Sequence, residues 1–521
     1  MTHFPQKVAA LRGNDSALID ERGEITWTTF NERTNRLLSA LRGLGLGAGD
    51  TVAPYAGNCR EYYEIRMATS HTGIIWVPVN WHFSPEELAY VIADSEAKAL
   101  FAEGQFLENA AAAIRRGETP GLDHCFAMRS DDLPDGFQDY VAFLDSGSPD
   151  EPDDQSMGGP MFYTSGTTGR PKGVKSSTSA AGGPIEVLEL MGAGLSGMLN
   201  IPADGTTYIC GPVYHSAQWA FSFLPLLVGS RVLMRHRFDP AESLKLMDDH
   251  KVTNVHLVPT QFHRFLKLAE GERSSFDGSS LVVVWHGAAP CPPETNRKMI
   301  DWWGPVVSEY YGSTEGSIVS QITAEEWLVR PGSVGKAGAM SEITIRDDDG
   351  KVLPAGESGQ IYVRNLMGTD FEYHNEPEKT ADVHLEPGVF TFGDIGYFDD
   401  DGYLYHSDRK IDMIISGGVN IYPAEIEAVL VQHPAVEDAA VFGIPNEEFG
   451  EEVKAAIKLA AGHSGDEALS QSLIEYCREH LAGYKAPKSI DYEEEFPRHE
   501  TGKLYKRLLR DRYWQGQGRT I

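Results

Sequence analysis

Between residues 23 and 102 the hydrophobic period of the chain switches back and forth between that of a strand and that of a helix. This alternation limits the possible folds more than any single motif does. Residues 23–27, Gly-Glu-Ile-Thr-Trp, read as a strand. Residues 28–44 follow with Phe30, Leu37, Leu38 and Leu41 at helical spacing, and Gly45, Gly47 and Gly49 end the run. Residues 50–53 give a short strand, 60–71 a helix stopped by Gly73, and 74–79 a buried strand. Ser84-Pro85-Glu86-Glu87 is a capping box with proline at the first helical position, and it opens a helix to about Ala93. Residues 98–102 are strand again. The pattern predicts an α/β fold with a doubly wound, mostly parallel sheet. Residues 103–155, acidic from 131 to 154 and carrying Pro134, Pro149 and Pro152, read as surface connection.

A chain of 521 residues is too long for one core. Its later parts change character. Short alternating strands with Asp/Gly turns between 335 and 363 predict a small antiparallel β subdomain. Beyond Pro423 come a helix (423–432), strands (436–443 and 453–459) and a helix (468–481), a small α+β unit. The 45 basic and 76 acidic side chains give a net charge of −31. Such a surface repels nucleic acid and anionic membranes, so a polyanionic substrate has to be caught by local cations. The five cysteines are scattered, with no Cys-x-x-Cys pair, which argues against zinc or a disulfide framework. Residues 1–15 lack the apolar core of a signal peptide, and no apolar run approaches the roughly 20 residues of a membrane span. The expectation is a cytoplasmic protein without stable membrane insertion.

The densest local signal follows the apolar run Met161-Phe162-Tyr163. It is Thr164-Ser165-Gly166-Thr167-Thr168-Gly169-Arg170-Pro171-Lys172-Gly173. Its glycines let the backbone bend and bring N–H groups to an anion, its hydroxyls donate to phosphate oxygens, and Lys172 adds a point charge. The spacing is not Gly-x-x-x-x-Gly-Lys-Ser/Thr, since Gly173 follows Lys172. Five further stretches stand in order after it. Strand 281–285 runs into His286-Gly287-Ala288-Ala289. Then come Tyr310-Tyr311-Gly312-Ser313-Thr314-Glu315-Gly316 and Phe390-Thr391-Phe392-Gly393-Asp394, and after these Asp408-Arg409-Lys410-Ile411-Asp412 with Gly417-Gly418. Pro497-Arg498-His499-Glu500-Thr501-Gly502-Lys503 closes the series.

Together these motifs resemble the acyl-adenylate-forming (AMP-binding) superfamily, and within it the acyl-CoA synthetases, over nearly the full length. The resemblance implies a large domain 1–408, a hinge 409–412 and a small mobile domain 413–521. It implies ATP, Mg²⁺ and coenzyme A, with Thr164, Ser165, Gly166, Thr167, Thr168, Gly169 and Lys172 around the phosphates. Gly287, Ala288 and Ala289 would lie against adenine, on which Tyr311, beside Gly312, would stack. Thr314 would bond the α-phosphate and Glu315 hold the metal, which keeps its waters and takes few protein ligands. Asp394 would accept the ribose hydroxyls and Arg409 contact ribose or phosphate. Val389 and Phe392 stand where the family usually has Trp and Thr, and Ile411 where its hinge residue is usually polar. Gly417 and Gly418 would line the CoA tunnel after domain rotation, and Lys503 would be the adenylation lysine. His215 would gate an acyl pocket lined by Trp219 and Phe223, and no Asp stands where amino-acid-activating relatives pair the ammonium. The implied function is a stand-alone ligase that activates a hydrophobic acid (fatty, aryl or steroid side-chain) as acyl-AMP and transfers it to CoA. Other adenylating readings are a ligase that loads a carrier protein and a luciferase-like oxygenase. A catalytically inactive nucleotide- or acyl-binding relative also remains open, as does the choice between monomer and homodimer.

Overall fold

The computed structural model describes residues 5–164, 170–177, 181–409, 412–416, 419–446, 449–498 and 504–514. The predicted alternation builds two parallel sheets. One has five strands, with Thr51–Tyr55 and Ala97–Glu103 paired at its middle and His124–Met128 and Phe137–Asp139 beyond them. Residues 74–79 contribute only the two-residue strand Ile75–Trp76 at its other edge. The outer strands and the helices Leu107–Arg115 and Tyr140–Asp145 come from the segment expected to be connection. Alanines at 110, 111 and 113 pack that helix onto the sheet, so its small side chains concealed a buried face.

The second sheet is a 14-stranded run whose parallel part contains Ser16–Asp20, Arg231–Met234, Thr206–Ile209, Asn254–Leu257, Val283–His286 and Val307–Ser313. Leu18 pairs with Val232, joining distant parts of the chain. The chain then turns antiparallel through Ser317–Ile322 and Ser333–Ala337, and the latter also pairs with Leu404–Arg409. The predicted β subdomain, with Ser341–Arg346 and Gly359–Asn365, therefore hangs on the same hydrogen-bonded ladder, and Val389–Phe398 joins it there.

The capping box forms as written: the Ser84 hydroxyl accepts from the Glu87 N–H while the Glu87 carboxylate accepts from Ser84 N–H at 2.8 Å. The apolar stretch after His215 divides into two short helices, Ser216–Ala220 and Phe223–Leu227. Toward the C-terminus the helices Pro423–Leu430 and Glu467–His480 cover a five-stranded sheet built around Gly450–Leu459, with Val436–Asn446 at its edge. All five cysteines are unbridged. Among the described residues no helix is long and apolar enough to cross a membrane.

Candidate active site

The two ends of the phosphate-loop motif are strands. Phe162–Thr164 and Lys172–Ser176 pair antiparallel, with Thr164 opposite Lys172. Ser165, Gly166, Thr167, Thr168 and Gly169, named from the sequence, lie outside the described residues. A third strand, Phe371–Tyr373, pairs with the Lys172 strand and brings Tyr373 opposite Val174. The Lys172 ammonium lies 4.5 Å from the centre of the Tyr373 ring. Burial and the neighbouring Lys379 lower the pKa of Lys172, while Glu315, Glu376 and Asp382 pull the other way. A partly desolvated cation of this kind gains from an arriving polyanion.

Tyr373 also reaches the second motif. Its hydroxyl donates to Glu315 Oε1 at 3.1 Å. Glu315 stands in the turn between Val307–Ser313 and Ser317–Ile322, where the Ser313 hydroxyl accepts from the N–H groups of Glu315 and Gly316, each at 3.1 Å. A Cβ on Gly312 would lie 2.0 Å from the Ser317 carbonyl oxygen, and one on Gly316 would lie 2.4 Å from the Phe392 ring. The turn therefore needs both glycines for packing. Beside them, Thr314 Oγ1 and Ser216 Oγ share a hydrogen bond of 2.8 Å. This ties the turn to the helix that carries Trp219.

The third motif meets the same hairpin. The Tyr311 hydroxyl donates to Asp394 Oδ2 at 2.6 Å, and His406 Nε2 lies 3.5 Å from Asp394 Oδ1. Asp394 is buried, on the strand Val389–Phe398, and pairs across the ladder with Arg409. At the end of strand Val283–His286, a Cβ on Gly287 would lie 2.7 Å from the Tyr310 ring. Ala288 carries the bend, with φ +65°, and Ala289 follows it.

His215 is the N-cap residue of the helix Ser216–Ala220, with its ring 4.3 Å from that of Tyr214. Trp219 and Phe223 stack with centroids 6.4 Å apart. The sequence reading missed what they face. Arg66, only 1% exposed, lies 4.4 Å from the Phe223 ring, 4.8 Å from Trp76 and 5.5 Å from Trp219. Charged residues at 61, 64 and 66 suggest a solvent face, yet every residue from Glu61 to Ser70 is buried. Tyr373, too, carries no motif signature.

Beyond the strand Val389–Phe398, Lys410, Ile411, Gly417 and Gly418 fall outside the described residues, as does Lys503. Arg498 and Leu504, on either side of the lysine segment, form an antiparallel bridge. Arg498 is anchored to Asp438, Nη2 to Oδ2, at 2.7 Å.

The described residues contain no group of three or more His, Cys, Asp or Glu that could hold a metal. Glu315 is a single carboxylate, a donor set that suits a Mg²⁺ ion retaining waters and shared with phosphates rather than a metal caged by protein.

The parallel sheets, the antiparallel extension and the polar groups gathered at the Glu315 turn define an adenylate-forming enzyme. Comparison with known proteins agrees. The AMP-binding enzyme family matches residues 5–368, and the AMP-binding enzyme C-terminal domain matches 425–503. The chain is 32% identical to a feruloyl-CoA synthase of Amycolatopsis over 98% of each chain. It is 31% identical to a long-chain-fatty-acid–CoA ligase of Mycobacterium tuberculosis over 94% of this chain and 93% of that one. The crystal structure of an anthranilate CoA ligase with anthranoyl-AMP superposes with a TM-score of 0.86 at 26% identity, covering 97% of this chain and 96% of that one. The chain belongs to the AMP-binding enzyme family, as an AMP-forming acid–CoA ligase.

Proposed function

We propose that the protein activates a hydrophobic carboxylic acid (fatty, aryl or steroid side-chain) with ATP and passes the acyl group to CoA. The observation that carries this reading is the convergence on one turn. Tyr373 links Lys172 to Glu315, Ser216 holds Thr314, and Tyr311 holds Asp394. These are the groups a nucleoside triphosphate and a carboxylate need within one small volume.

In the first half-reaction a substrate carboxylate oxygen attacks the α-phosphorus, the bond to the β-phosphate oxygen breaks, and pyrophosphate leaves. Asp394, held by Tyr311, accepts the ribose hydroxyls, with Arg409 beside it on the paired strand. Thr314 donates to the α-phosphate, and Thr164 with Lys172 flanks the loop that wraps the β- and γ-phosphates. A bound Mg²⁺ would neutralise phosphate charge, and Glu315 would hold it. Lys503 bridges the carboxylate and α-phosphate oxygens, stabilising charge as it develops. In the second half-reaction the 409–412 hinge turns the small domain. This withdraws Lys503 and brings Gly417-Gly418 to line the CoA path, and the CoA thiolate displaces AMP from the acyl carbon. The five unbridged cysteines support a reducing, cytoplasmic setting.

Mass spectrometry of products from MgATP and a panel of carboxylic acids, with and without CoA, tests the reading. Acyl-CoA formed only when CoA is present supports it. Acyl-AMP that accumulates despite CoA rejects CoA as the acceptor, and the absence of both products with every acid rejects adenylation.

A further inference from the structure

Asp94 stands outside every motif, yet two strands of the Lys172 sheet are tied to it. It is the last residue of the helix Pro85–Asp94, which packs Leu88, Ala89, Val91 and Ile92 against the five-stranded sheet. On local grounds an acid is poorly placed there. The C-terminal end of a helix carries partial negative charge, and no basic residue stands in this last turn. The compensation comes from distant parts of the chain.

The Tyr163 hydroxyl donates to Asp94 Oδ2 at 2.6 Å. His374 Nε2 donates to the Asp94 carbonyl oxygen at 2.9 Å, and the Asn375 amide reaches Asp94 Oδ1 at 3.4 Å. Tyr163 immediately precedes Thr164, and His374 immediately follows Tyr373. Asp94 thus fastens both outer strands of the three-stranded sheet whose middle strand begins with Lys172. The two fastening side chains pass on either side of Gly173. A Cβ at that position would lie 3.1 Å from the Tyr163 ring and 3.2 Å from the His374 Cβ. The Gly173 carbonyl also accepts from the His374 N–H at 2.7 Å. On the same helix, the Tyr90 ring lies 5.1 Å from the Arg170 guanidinium. Burial and the Asp94 carboxylate raise the Tyr163 pKa, so the phenol stays protonated and keeps donating.

The contacts continue inward. Tyr373, next to His374, meets the Lys172 ammonium at 4.5 Å and Glu315 Oε1 at 3.1 Å. Lys172, Thr164 and Glu315 are the groups that the proposed reading gives to the β- and γ-phosphates and the metal. Asp394 and Tyr311, given to the nucleoside, stand on the strands Val389–Phe398 and Val307–Ser313.

We propose that Asp94 is a positioning residue for the polyphosphate of ATP. Through Tyr163 and His374 it sets Thr164, Lys172 and Tyr373 against the neighbouring sheet, and it touches no nucleotide itself. The proposal rests on the adenylation reading for which groups meet the phosphates. Its signature is selective: the ligand that carries β- and γ-phosphates should feel the loss of Asp94, and the one without them should not.

The test is calorimetric titration of the full chain with MgATP and, separately, with AMP. Asp94→Ala should weaken MgATP about tenfold, the scale of one lost hydrogen bond to a charged group, with AMP affinity unchanged. Asp94→Asn keeps an oxygen for Tyr163 and should fall between Asp94→Ala and wild type. Tyr163→Phe, which leaves the carboxylate in place, should weaken MgATP about threefold. Equal losses for MgATP and AMP would mean that the contact supports the fold alone, and tighter MgATP binding in Asp94→Ala would mean that the carboxylate acts only through its charge. Either result overturns the proposal. Unchanged MgATP affinity in Tyr163→Phe overturns it as well, even if neither Asp94 variant folds. The adenylation reading is checked apart from this, by ATP–pyrophosphate exchange of the wild type with the carboxylic acid panel. Exchange that fails with every acid rejects that reading while the MgATP–AMP split still supports Asp94, and a wild type that binds neither nucleotide removes both.

Discussion

The Tyr311 hydroxyl donates to Asp394 Oδ2 across 2.6 Å, joining two motifs 83 residues apart. The carboxylate is buried, and the phenol fixes its orientation. Tyr311→Phe removes a hydrogen bond to a charged group, worth about 1.5–3 kcal/mol. The KM for ATP should rise about tenfold while the KM for the acid stays put. An unchanged ATP KM in pyrophosphate exchange would separate Asp394 from nucleotide binding.

Tyr373 stands between Lys172 and Glu315 and touches both. Without its hydroxyl the Glu315 carboxylate loses an orienting donor. Tyr373→Phe should therefore shift the Mg²⁺ dependence of adenylation toward higher concentration, roughly threefold, and Glu315→Gln should shift it further. Titrating Mg²⁺ at saturating ATP measures both, and coincident curves for wild type and Glu315→Gln would remove the metal role.

Lys503→Ala should slow acyl-AMP formation by roughly 100-fold, the scale of one lost transition-state contact. Thioesterification of supplied acyl-AMP should proceed as before. Equal losses in the two half-reactions, measured separately, would rule out domain alternation.

Glu309 and His286 lie 3.8 Å apart in the interior. Burial raises the Glu309 pKa to about 8 and lowers that of His286 to about 3. At neutral pH neither is predominantly charged. Because the folded Glu309 pKa lies above its unfolded value, the stability it contributes is full below about pH 4.5 and is lost as pH rises through 8. His286, whose folded pKa is depressed, contributes in the opposite sense: its stability is present above about 6.5 and lost as pH falls toward 3. In Glu309→Gln the first dependence disappears. Urea midpoints should show the variant gaining on wild type between pH 5 and pH 8.5; a constant difference would mean that Glu309 does not titrate there.

The sequence was legible where chemistry and chain direction coincide. Thr314, Glu315 and Tyr311 share one hairpin, so their grouping follows from spacing alone. Tyr373 was invisible because its role depends on an edge strand arriving from almost 200 residues beyond Lys172, and nothing local marks that pairing. Arg66 was hidden for the opposite reason: in a row of charged side chains it looked ordinary, and only the surrounding rings show that it never meets water. The helix Leu107–Arg115 was missed because alanine carries almost no hydrophobic signature, although it packs well against a sheet.

The pairing of Leu18 with Val232 has a consequence for how the protein is made. During synthesis the strand Ser16–Asp20 leaves the ribosome long before its parallel partner exists. At about 5–20 residues per second the wait is on the order of 10 to 40 s. For that interval the nascent chain holds a hairpin with one open, apolar edge, with Ala17, Leu18 and Ile19 still to be covered. Chaperone demand should therefore fall during the first half of translation, and slowing elongation before residue 231 would lengthen the exposure rather than help the chain to fold.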